Sequence, residues 1–187
     1  MKRTLLICAL LLSACKEEAQ DVSAVPLTEE SVGHYCQMQL LEHDGPKAQV
    51  HMKGYPGKPL YFSQVRDAVA YSRLPEQEGV ILAIWVNDMG APGATWTQPG
   101  AANWIDAKTA HYVVGSTVEG GMGAPELVPF ADLDKAADFA TQNGGAVMSL
   151  TAIPDSAVIA PVALPGDATS DADYSNRLKA LSDKIGG

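Results

Sequence analysis

Cys36 and Met38 stand one residue apart in the segment His34-Tyr35-Cys36-Gln37-Met38, which offers a thiol, a thioether and a nearby imidazole. Thiolate and thioether are soft donors, and among biological metals soft ligands select Cu(I). One thiolate with neutral sulfurs makes a low-charge site suited to a monovalent ion. Zinc usually draws on four N or S ligands, often several thiolates, and no Cys-x-x-Cys is present. If the segment is extended, side chains two apart share a face, and His34, Cys36 and Met38 would project together. The competing reading is a cysteine buried beside a core methionine, since cysteine is among the most buried residue types.

A third sulfur lies in the run Glu119-Gly120-Gly121-Met122-Gly123-Ala124-Pro125-Glu126. Its glycines and proline mark a loop. Met122 has little apolar company there, so its sulfur is placed to face outward; the other reading is a plug for a gap in the core. If this loop meets the N-terminal segment, Cys36, Met38 and Met122 form a three-sulfur site that is nearly planar and open on one side. Met89, in a turn-like Asn87-Asp88-Met89-Gly90, is a weaker candidate to line it. Met52 and Met148 sit in strands. His43, His51 and His111 lack metal-ligand spacing and are expected to be surface or strand histidines.

The thiol at Cys36 gains weight from the N-terminus. Met1, Lys2 and Arg3 give a basic start, Thr4 to Leu12 is a short apolar run, and Leu12-Ser13-Ala14-Cys15 closes it. That is a secretory signal, and its last four residues resemble the lipobox of bacterial lipoproteins. Residues 1–14 are then expected to be removed and Cys15 lipidated. Cys8 leaves with the signal, so Cys36 remains alone and has no internal partner for a disulfide. Lys16 after the anchor cysteine, rather than an aspartate, leans towards the outer membrane. The apolar run falls short of the roughly 20 residues a spanning helix needs, so lipid is the expected membrane attachment.

The 187 residues carry a net charge of −9. Without the signal the charge is more negative still. An acidic surface argues against nucleic acid, which needs clustered Lys and Arg. It suits a periplasmic protein held beside a membrane.

The elements that must position the sulfurs form a repeat. The first unit runs through residues 49–53, 60–62, 63–74 and 80–86; the second through 111–115, 127–130, 132–141 and 146–150. Each reads strand, strand, helix, strand. Phe62, Val65, Ala68, Val69 and Tyr71 match Phe130, Leu133, Ala136, Ala137 and Phe139 at a constant offset. Their spacing gives each helix one buried face. Pro75 with Gly79, and Asn143-Gly144-Gly145, end the two helices. The apolar third strands, 80–86 and 146–150, are expected to be central. The fold class is therefore α+β: two pseudo-repeated ββαβ units packed together, with a flexible N-terminal tether and a C-terminal tail. The boundaries are 1–14 for the signal, 15–30 for the lipidated tether, and 31–95 for the first unit. Residues 96–154 hold a linker and the second unit, and 155–187 an acidic, Pro/Ala-rich tail. Trp96 and Trp104 are expected to pin the linker to the core. Tyr174, Leu178, Leu181 and Ile185 recur at helical spacing, which reads equally as a short docking helix or a frayed end.

These segments together resemble the NosL family, the accessory lipoproteins of the nitrous oxide reductase system. The likeness covers roughly residues 30–152. It rests on Tyr35-Cys36-Gln37-Met38, on Trp104-Ile105-Asp106-Ala107 with His111-Tyr112-Val113, and on Met122 through Phe130. The resemblance implies a monomeric periplasmic Cu(I) chaperone delivering copper for the copper–sulfur centre of nitrous oxide reductase. The implied partners are the periplasmic subunit of a membrane ABC-type complex and, downstream, the reductase. The family's copper ligands carry over to Cys36, Met38 and Met122; a fourth ligand is left open, with His34 near enough to be considered.

Two rivals stand beside this reading. The fold is similar to that of the organomercurial lyases, but those need more than one cysteine at the site. No Ser-His-Asp order, His-Glu-x-x-His or Gly-Lys-Ser/Thr loop is present, so no enzyme is expected. The alternative is a structural or docking lipoprotein with a buried Cys36 and no metal.

Overall fold

The computed structural model describes residues 19–75, 77, 79–159 and 179. The expected signal peptide and Cys15 lie outside the described residues, as does most of the expected C-terminal tail. Among the described residues no helix is long and apolar enough to cross a membrane.

The first unit consists of β1 (Ala48–Met52), β2 (Leu60–Phe62), α1 (Val65–Arg73) and β3 (Ile81–Val86). A short β4 (Ile105–Asp106) joins β3, giving an antiparallel sheet ordered β2-β1-β3-β4. The second unit is β5 (His111–Val114), β6 (Val128–Phe130), α2 (Leu133–Asn143) and β7 (Ala146–Ser149), with sheet order β6-β5-β7. Two ββαβ units are therefore present, as the repeat predicts.

The strand alternation of β1 sorts its side chains onto two faces. Ala48, Val50 and Met52 enter a core with Phe62, Val65, Ala68 and Val69. Gln49 and His51 face the other way and are buried too. They are covered by residues 20–27. The Gln49 amide donates to Val25 O at 3.0 Å and accepts from Val25 N at 2.8 Å. Trp85 Nε1 donates to Val22 O, and Gln20 bridges Met52 O and Gly54 N. The described part of the expected tether is thus a strap along the sheet. Polar amides hold it, so no apolar pattern announced it.

β5 joins the units. Tyr112 and Val114 enter the core of the first unit, along with Leu127, while Val113 packs with Val128, Phe130 and Ala136 under α2. The repeat is unequal in depth. Val65 and Val69 are fully buried, yet Leu133 is exposed and Ala137 with it, leaving Ala136 as the buried residue of α2. The third strands also part company. β3 is flanked by β1 and β4, as expected, but β7 is an edge strand with both of its ends exposed. The difference is β4, whose two residues extend the first sheet, while among the described residues nothing extends the second.

The core continues past residue 154. Ile153 and Val158 are buried in it. Arg73 of α1 donates to Leu150 O and Ile153 O and pairs with Asp155 at 2.8 Å. Trp96 pins the linker as expected: it packs in the second core, and its carbonyl accepts from Gly45 N.

Candidate metal centre

Residues 32–39 form a closed loop, not the extended segment considered above. Val32 and Gln39 pair across its base, Gly33 N donates to Met38 O, and Gln37 N donates to Gly33 O. Gln37 adopts φ 55°, a left-handed conformation uncommon outside glycine. Its side chain holds it there, donating to Gly33 O and to His34 O at 2.8 Å. Cys36 and Met38 therefore flank a turn.

The turn lays His34 against the aromatic residues of β2 and α1. Its ring packs 5.6 Å from Phe62 and 5.5 Å from Tyr71, and Tyr35 lies over the same pair. This aromatic cluster staples the loop to β2 and α1, helped by the bond from His34 N to Tyr61 O. The extended arrangement of His34 with Cys36 and Met38 is replaced by this packing, because contact with the rings of Phe62 and Tyr71 outweighs an open extended segment.

Cys36 is a free, half-exposed thiol. Its Sγ lies 4.0 Å from Ser63 Oγ, the residue after β2. Gly33 has no room for a side chain, because a Cβ there would overlap Cys36 Sγ. Met38 is 43% exposed and Met122 44% exposed, so neither is a core filler. Both thioethers are accessible to a soft ion.

Met122 stands on a tight hairpin. Glu119 pairs with Pro125, Gly120 N donates to Ala124 O, and Gly123 N donates to Gly120 O. The hairpin is seated on two supports. Gln64, the residue before α1, is buried and donates to Ala124 O at 3.2 Å. On the other side, a Cβ at Gly121 would lie 2.7 Å from Asp44 O and 2.8 Å from His43 Cβ. The Cys36 arm lies against Ser63 and the Met122 arm on Gln64, so the two consecutive residues just before α1 contact both.

Beneath the hairpin lies Glu126, fully buried. Its Oε1 accepts from Arg66 N at 3.0 Å and Leu127 N at 2.8 Å, while Oε2 has no hydrogen-bond partner. Burial pushes its carboxyl up to about 8, against the pull of those two N–H donors. Nearby Lys47 is also buried and donates to Asp44 O and Gly45 O. Burial brings its ammonium down to about 8. Ser63, Gln64 and Glu126 escaped the sequence reading. The one hint was a Gln just before a helix and a Glu inside an otherwise apolar strand entry.

The other candidates separate from the site. Met89 packs in the second core, and Met52 and Met148 in or against the first. His51 is buried against Gln49. His43 is half-buried, with Nε2 unpartnered. Among the described residues no three His, Cys, Asp or Glu side chains group to hold a metal ion. The accessible sulfurs of Cys36, Met38 and Met122 are donors of the soft kind that suits a monovalent ion.

A sequence model of the NosL family matches residues 24–158. The chain belongs to the NosL family. A copper-binding lipoprotein NosL from Achromobacter cycloclastes is 56% identical over 95% of this chain and 92% of its own. One of the same name from Stutzerimonas stutzeri is 32% identical over 71% of this chain and 67% of its own. The crystal structure of the copper chaperone NosL from Shewanella denitrificans superimposes with a TM-score of 0.65 at 28% identity, covering 71% of this chain and 96% of that one. The NosL match begins at the strap and ends at Val158, the limits of the packed core.

Proposed function

We propose that this protein is a lipid-anchored periplasmic carrier of Cu(I), with Cys36, Met38 and Met122 as the copper ligands. The observation that carries the reading is the placement of a half-exposed thiol and an exposed thioether hairpin on Ser63 and Gln64. The copper-binding names of the NosL relatives support it.

Binding replaces the S–H bond of Cys36 with an S–Cu bond and releases one proton, so uptake is favoured as pH rises while the thiol is still titrating. The two thioethers add no charge and do not compete for protons. Three sulfurs leave one side open. A donor from a receiving protein can join there before a carrier sulfur leaves, so copper is passed on without becoming free. The receiving protein proposed is the periplasmic subunit of a membrane ABC-type complex, and the destination is the copper–sulfur centre of nitrous oxide reductase. A lipid on Cys15 would confine the carrier to a membrane surface, and Lys16 after it points to the outer membrane.

The competing reading, a docking lipoprotein without metal, requires a buried and unreactive Cys36. Alkylation of the native protein separates the two. The carrier reading expects fast modification of Cys36 when empty and protection with one equivalent of Cu(I). Slow modification in both states supports the docking lipoprotein.

A further inference from the structure

Glu126 belongs to the second unit, yet its carboxyl caps the first turn of α1 in the first. The residue before α1, Gln64, makes no cap of its own. Arg66 N is instead satisfied by Glu126 Oε1, 60 positions away. The unused oxygen points up at the hairpin that carries Met122: a Cβ at Gly120 would lie 2.6 Å from Glu126 Oε2 and would overlap Gln64 Nε2. Gly120 is bare because these two side chains occupy the space beneath it. Ser63, against which Cys36 rests, is only three residues from the capped N–H. One buried side chain thus bonds the first turn of α1, three residues beyond the Ser63 hydroxyl that Cys36 approaches, and lies under the hairpin that carries the thioether.

We propose that Glu126 is a positioning residue for the copper site, fixing the separation of the Cys36 arm from the Met122 arm by capping α1 and supporting the 119–125 hairpin from below. The inference rests on the ligand reading given above. Burial alone does not explain the residue. An alanine or leucine would fill an apolar floor without a desolvated carboxyl, but neither would accept the Arg66 and Leu127 N–H groups. Groups bonded directly to metal ligands typically change affinity by about 10–100-fold when removed; Glu126 acts one step further out, through the backbone, so the lower end of that range is expected.

The test is Cu(I) affinity of the mature chain in detergent, for wild type, Met122→Ala, Glu126→Ala, Glu126→Gln and the double variant Met122→Ala with Glu126→Ala. Glu126→Ala is expected to weaken Cu(I) binding about tenfold, comparably to Met122→Ala. The double variant is expected to lose little beyond either single one, because both remove the same arm. Glu126→Gln keeps an oxygen for the two N–H groups and is expected to restore binding to within about threefold. The 13C-methyl resonance of Met122 should respond to Cu(I) in wild type and Glu126→Gln, and stay at its metal-free position in Glu126→Ala. If Glu126→Ala does not fold, Gln64→Ala, which removes the other support, is expected to show the same loss of the Met122 response. Full Cu(I) affinity in a folded Glu126→Ala, or losses that simply add in the double variant, overturns the inference alone. Unchanged affinity in Met122→Ala overturns the ligand reading itself, and the inference with it.

Discussion

Gly33 and Cys36 touch so closely that no side chain fits between them: a Cβ on Gly33 would overlap Cys36 Sγ. The bare backbone at position 33 is part of how the thiol is aimed. The atom in the way is the end of a short side chain, so relief comes from turning Cys36 away and not from breaking the fold. Gly33→Ala is therefore expected to leave the melting temperature nearly unchanged. Cu(I) affinity should fall by about tenfold, the lower end of what disturbed supporting groups cost. Paired melting and Cu(I) titration curves check this. A large loss of stability with normal copper binding would place the contact in the fold instead.

The strap over residues 20–27 hangs on Gln49. Its amide makes both hydrogen bonds to Val25 and also receives His51 Nε2. Gln49→Ala leaves those groups without partners, and each buried orphan costs about 1–3 kcal/mol. The expected outcome is a lower melting temperature with faster amide exchange at Val25. Cu(I) affinity should not change, because the strap lies across the sheet from the face that packs against α1. Exchange at Val25 as slow as in wild type would show that Trp85 and Gln20 suffice.

Glu126 and Lys47 make stability depend on pH in an unusual direction. Glu126 is raised from 4.5 to about 8, chiefly by burial. Between those values the folded chain keeps a proton that the unfolded chain has released, so this contribution is full below about pH 4.5 and is lost as pH rises through 8. Lys47 is lowered from 10.5 to about 8, again by burial. Above pH 8 the unfolded chain holds the extra proton, and on this account stability recovers towards 10.5. A minimum near pH 8 is expected in melting temperatures measured across this range. Glu126→Gln should remove the decline on the acid side. A wild-type decline that survives in Glu126→Gln would assign it to other groups.

Much of this architecture is written in local periodicity. Ala68 and Ala136 occupy matching buried places because helix spacing selects them, and Phe62 and Phe130 do so at matching strand ends. What periodicity could not rank was depth. β3 and β7 are both short apolar runs, and the pairing of Trp85 and Val86 with Asp106 and Ile105 makes one interior. The strap was hidden because Gln20 and Gln49 hold it through amides. At the site, residue type exposed the soft character of Cys36, Met38 and Met122. The turn at Gln37 has no signature in a non-glycine residue, and His34 is drawn aside by Tyr71, which arrives from α1. Glu126 was invisible for a similar reason: its partner Arg66 is remote in sequence, and a lone glutamate in an apolar run names no donor.

The central claim is that Cys36 holds Cu(I). It is tested most directly by competition against a calibrated chromophoric chelator, anaerobically and under reducing conditions, with a soluble form lacking residues 1–15. The account predicts one tightly bound Cu(I) per chain in the wild type and its loss in Cys36→Ala. A folded Cys36→Ala variant that competes for Cu(I) as well as wild type would contradict it.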